Sequence, residues 1–177
     1  MLIPGIWGFA EATLFFFVPD IWLTAMAVRR GLKQALLACL AALAGALLGG
    51  MAMYGWGEAN PEVARDILDW VPAIDKAMIA EVQTSLRTDG AMAVFLGPLF
   101  GVPYKIYAVE AAGAGIGLAE FLAVSVPARL LRFLFLTLVA WAISAALAGR
   151  AGSRMRVGLL AGAWGIFYVA YFTIAGF

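Results

Sequence analysis

The 177-residue chain contains no histidine. That excludes Ser-His-Asp triads, Cys-His pairs and HExxH zinc sites together. Its single cysteine, Cys39, cannot close an intrachain disulfide and lies in an apolar run, where it reads as a small packed hydrophobe. Charge is scarce, at 13% of residues with a formal net of +1, and no basic run is interleaved with aromatics, so no nucleic-acid partner is expected. Alternating ten-residue patterns, the mark of a membrane β-barrel, are missing. The N-terminus lacks a basic region and carries Glu11 inside its first apolar run, so a cleaved signal peptide is not expected. No nucleophile–base pair or metal set stands out, which argues against an enzyme, a catalytic residue, a bound metal or a cofactor.

What is present is apolar surface: 64% hydrophobic residues and a mean hydropathy of +0.95. Such a composition defines an all-α integral membrane protein, one membrane domain over residues 1–177. Residues 1–28 form a broken apolar segment whose part after Pro19 is too short to cross a hydrocarbon core of about 30 Å, so a re-entrant hairpin is expected. Residues 34–57 are an uncharged crossing helix in which Ala41, Gly45 and Gly49 place small residues on one face. Residues 58–89 carry seven acids against three bases and read as amphipathic extramembrane helices divided at Pro72. Asn60-Pro61-Glu62 supplies a helix start, and Val63, Ile67, Trp70, Ile74, Met78 and Val82 supply an apolar stripe.

Residues 90–117 form a second broken segment, interrupted at Pro98, Gly101 and Pro103, and a second re-entrant hairpin is expected there. The glycines at 113–117 read as packing rather than a nucleotide loop. Residues 118–149 give another crossing helix. An extra helix follows at 157–177, with Gly158 and Gly162 spaced for close packing. Basic loops at 29–33 and 150–156 are expected in the cytoplasm and the acidic segment on the opposite side. Hairpin plus crossing helix, repeated with opposite topology, is an inverted repeat, and paired interrupted segments point to a transport site near the bilayer midplane.

Charged side chains inside a membrane are costly and must be paired, hydrated or near an interface. Glu120 and Arg132 fall near expected helix ends, where snorkelling is the simpler reading. Glu11, Asp20 and Lys105 lie deeper, and if the hairpin tips meet they form a substrate or proton-coupling cluster: Lys105 to hold an anionic headgroup, Glu11 to exchange protons. The alternative for the same residues is a permanent ion pair locking the tips, and Asp20, beside the proline turn, can also be a local helix cap. Arg129 and Arg132, three apart on one helical face, can receive a phosphate or neutralise Glu110 or Asp20. The aromatics, Phe15 to Phe17, Trp7, Trp56, Tyr104 and Tyr107, read mostly as interfacial anchors or lipid-facing surface.

Glu11 followed by the FFFVPD run to Asp20, and Pro103-Tyr104-Lys105 leading to Ala112-Gly113, Ile116 and Phe121, resemble the DedA family, also called the VTT or SNARE-associated Golgi protein family. The resemblance covers about residues 3–149. It implies an acid pair in the first hairpin and basic residues in the second, within an inverted-repeat fold in the bacterial inner membrane. Lys105 stands where the second family arginine falls, and Leu99 occupies the place of the first. Members move lipids, polyprenyl phosphates among them, across bacterial membranes.

The expected function is therefore flippase-like transport of a phosphate-bearing lipid, with membrane lipids as partners and a homo-oligomer allowed. The alternatives are an ion-coupled carrier of a small solute and a non-transporting membrane scaffold.

Overall fold

Helix breakers and glycines divide the chain into nine α-helices among the described residues, 1–175, of the computed structural model. They are α1 (Leu2–Ala12), α2 (Asp20–Arg30), α3 (Leu32–Ala59), α4 (Pro61–Leu68), α5 (Lys76–Asp89), α6 (Ala91–Leu96), α7 (Tyr104–Ala111), α8 (Leu118–Ala146) and α9 (Ser153–Ala175). A 3-10 turn, Gly97–Phe100, continues α6. No strand occurs among these residues. Three helices, α3, α8 and α9, are long and apolar enough to cross a membrane. The protein is thus an all-helical integral membrane protein. Of the expected last span, residues 176 and 177 lie outside the described residues.

Gly31 joins α2 directly to α3 because its φ of 83° lies in the region that favours glycine. On α3, the small face at Ala41, Ala42, Gly45 and Gly49 receives α1. A Cβ on Gly45 would collide with the Gly5 carbonyl, and one on Gly8 with the Ala42 carbonyl, so small residues on both helices permit backbone contact. The seam is intramolecular. Gly158 and Gly162 differ: a Cβ on either meets nothing within 4 Å, so their spacing is not used for packing inside the chain.

The two interrupted segments, α1–α2 and α6–α7, interlock. α1 and α2 are 11 residues each, about 16 Å long and too short to cross alone. α1 packs on α3 while α2 packs on α8; reciprocally, α6 packs on α8 while α7 packs on α3. Every residue of α7 is buried.

Around α7 wraps the acidic segment, α4 and α5, joined by a loop at 69–75 that contains Pro72 and Ala73, the latter at φ 63°. Asp75 caps α5, its carboxylate accepting from the Met78 N–H at 2.7 Å. Asn60 precedes Pro61 at the start of α4 but makes no side-chain cap. The buried stripe of this segment is Ala64, Leu68, Val71, Ile74, Ile79, Val82 and Leu86. The expected stripe, placed on the membrane surface or on the bundle, is divided: Val63 of α4 and Trp70 of the following loop are exposed, while Ile74 and Val82 are buried.

Candidate functional site

The candidate site forms where the breaks of the two interrupted segments, hereafter the two tips, meet beside the middle of α8. Arg132 is the central residue of that 29-residue helix, which at about 43 Å is longer than a hydrocarbon core of about 30 Å. Arg132 is therefore a mid-helix residue, not the snorkelling end residue that its sequence position suggested. Glu120, in the first turn of α8, is exposed.

Arg129 and Arg132 each take one acid of the first hairpin. Arg129 pairs with Glu11: Nη2 donates to Oε2, and Nη1 lies 3.4 Å from Oε1. The same guanidinium sits 4.9 Å from the ring centroids of both Tyr104 and Phe133. Only 1% of the Arg129 side chain and 8% of Glu11 remain exposed. Tyr104 is itself held by its hydroxyl donating to Ser125 Oγ at 2.9 Å and by stacking on Phe121. Protein encloses this pair except where Glu11 borders the cavity described below.

Arg132 and Asp20 are held differently. Arg132 Nε lies 3.3 Å from Asp20 Oδ2, outside good hydrogen-bond geometry, and Nη1 donates weakly to the Pro98 carbonyl at 3.3 Å. Neither Asp20 oxygen has a hydrogen-bond partner among the described residues, although only 1% of the side chain is exposed. Nor does Asp20 cap α2, since the Trp22 and Leu23 N–H groups donate to the Pro19 carbonyl.

Lys105 reaches across from the second hairpin to the first, Nζ donating to the Phe15 carbonyl at 2.8 Å. It is one of three side chains that satisfy the irregular backbone of the first tip. Trp7 Nε1 donates to the Phe17 carbonyl at 2.9 Å, and the Val18 N–H donates to the Tyr168 hydroxyl at 3.1 Å. Non-helical backbone in a water-poor setting needs such partners. In the second tip the turn at Gly101 has φ 98° and is followed by Pro103, which ends one arm and starts α7.

Between the tips lies a cavity of about 100 Å³. Its charged wall is Glu11, Lys105 and Arg132, and its apolar walls come from Phe16 and Val18 of the first tip, 101–103 of the second, Val71, Pro72 and Ile74 of the α4–α5 loop, and Phe167, Tyr168 and Tyr171 of α9. That volume holds several waters or a phosphate-sized group. Among the described residues no cluster of His, Cys, Asp and Glu is arranged to hold a metal.

Glu110 stands apart from the cluster, on the part of α7 covered by α4 and α5. Its carboxylate accepts from Arg65 Nε at 2.7 Å, Arg65 Nη2 at 2.8 Å and Gln83 Nε2 at 3.0 Å. It is a latch for the acidic segment rather than a partner of Arg129 or Arg132. The two-pronged hydrogen bond holds the Arg65 guanidinium above its ordinary pKa.

Sequence reasoning missed the aromatic contributors. Tyr104 and Tyr107 are buried core residues rather than interfacial anchors, because α7 is enclosed by protein. Tyr168 and Tyr171 come from a helix that sequence reading treated as an addition. Their signal was available: aromatics at 164, 167, 168, 171 and 172 recur at three- and four-residue spacing along one face of α9. Similarly, Arg129 and Phe133 lie four apart, one turn of the same face.

In comparisons with protein-family models, curated proteins and solved structures, no match was found.

Proposed function

We propose that the protein is a flippase-like membrane lipid transporter that passes a phosphate-bearing headgroup between the two hairpin tips while the tails stay in lipid. A single observation carries this reading: three ionisable side chains, Glu11, Lys105 and Arg132, converge on a cavity beside the centre of a membrane-length helix. Intramembrane ionisable groups on a cavity mark substrate and ion pathways. The aromatic walls suit the apolar region next to a headgroup, and the cationic excess suits an anion.

The interlocked packing of the two hairpins supports an inverted repeat of re-entrant hairpins, with the cytoplasmic side at 29–33 and 150–156. The same arrangement agrees with the resemblance to the DedA family and with a bacterial inner-membrane location. Purified protein in vesicles should accelerate flipping of a fluorescent phosphate-bearing lipid. Glu11→Gln and Lys105→Ala should each slow it. Equal rates for all three proteins would overturn the reading.

A second reading, a non-transporting scaffold, draws on the closed Glu11–Arg129 pair and on Lys105 capping a carbonyl, since both contacts lock the tips. It expects Glu11→Gln to lower thermal stability in detergent with no separate transport defect. A carrier of a small solute would instead show pH-dependent solute uptake without lipid movement.

A further inference from the structure

We propose that Asp20 and Arg132 form an exchange pair: Arg132 leaves Asp20 to bind the anionic headgroup, and Asp20 takes up a proton as it goes. This rests on the reading that a phosphate-bearing lipid enters the cavity. It assigns separate duties to residues that sequence reading treated as one cluster.

Arg129 is committed, because Glu11 and two aromatic rings enclose its guanidinium. Lys105 spends one donor on the Phe15 carbonyl. Arg132 is the cation free to move: 22% of its side chain is exposed, it lines the cavity, and its two contacts are both 3.3 Å long. An incoming phosphate offers shorter, charge-assisted, two-pronged bonds than either present partner.

Removal of Arg132 strands Asp20. Facing it are Arg129 and Arg132 from α8, Glu11 from α1, Cys39 from α3 and Tyr168 from α9. Once Arg132 has gone, the remaining cation is already neutralised by Glu11. An ionised carboxylate with 1% exposure and two unpartnered oxygens is then unsupported, so it binds a proton. The step is simple: the carboxylate of Asp20 and one proton, delivered through cavity water, form a carboxylic acid. No other bond changes. For a headgroup that binds as the monoanion, one negative charge and one proton enter together, so the loaded and empty sites carry the same net charge. Glu11 keeps its charge throughout.

The test uses purified protein in detergent, titrated with dodecyl phosphate in weak buffer while a pH indicator reads proton uptake against a protein-free blank. Wild type should take up about one proton per bound dodecyl phosphate. Asp20→Asn should bind at least as tightly with no uptake, and Arg132→Gln should lose about tenfold or more in affinity. Uptake that persists in Asp20→Asn, or wild-type binding without uptake, would overturn the exchange. Should Asp20→Asn fail to fold, infrared spectra of wild type decide the matter: a protonated-carboxyl band appearing on binding supports it, and an unchanged spectrum sinks it. Vesicle flipping separates the two levels. Flipping with no proton uptake on binding removes the exchange and leaves transport standing, whereas no binding and no flipping removes both.

Discussion

Two acid–arginine pairs lie one helical turn apart on α8, and they are built in opposite ways. Glu11–Arg129 is tightly held: both Nη atoms donate to the carboxylate and two rings clamp the guanidinium almost without exposure, leaving Nε as its one donor without a partner among the described residues. Asp20–Arg132 is underfilled: a long contact, two orphaned oxygens, and one partner facing a cavity. Identical chemistry thus serves opposite ends. A tightly held buried pair resists change because separating it leaves an uncompensated charge, while an underfilled pair has little to lose.

The largest effect should come from breaking the tightly held pair. Glu11→Ala leaves Arg129 charged and buried and should cost about 3–5 kcal/mol, read as a large drop in melting temperature in detergent. Next, Gly45→Leu forces α1 off α3 and carries Glu11 away from Arg129, a loss of about 3 kcal/mol. Adding Glu11→Ala to it should cost less than the sum of the two. Glu110→Gln provides a reference pair outside the cluster. It removes charge-assisted bonds to Arg65 and should cost about 1.5 kcal/mol. Faster amide hydrogen exchange confined to α4 and α5 would check it. The smallest effect belongs to the underfilled pair: Asp20→Asn should move stability by no more than about 1 kcal/mol in either direction, because the carboxylate has no hydrogen bonds to lose. A melting-temperature loss equal to that of Glu11→Ala would erase the contrast.

Much of the fold was legible in the chain. Uncharged length marked α3, the breaks at Pro19 and 101–103 marked the hairpin tips, and Pro72 marked the division of the acidic segment. These are local effects of chain geometry and burial, and they need no partner. Pairings were not legible in the same way. Glu110 was one expected partner of Arg129 or Arg132, yet α4 and α5 bring Arg65 and Gln83 to it, and α8 brings Arg129 to Glu11 instead. Arg132 looked peripheral because sequence does not say how far a helix extends beyond the membrane. The glycine spacing at Gly45 and Gly49 found partners in Gly5, Phe9 and Ala12 of α1, while at Gly158 and Gly162 a Cβ would meet none of the described residues.

The sequence by itself determined that this is a helical membrane protein with two interrupted segments and more ionisable groups than lipid tolerates. Those conclusions follow from transfer energies, which belong to each residue separately. Only the tertiary structure decided which acid meets which arginine, which lysine caps which carbonyl, and that α9 lends its tyrosines to the cavity. Such outcomes depend on the approach of helices distant in the chain, and close approach is set by the small residues and tips that face each other in three dimensions.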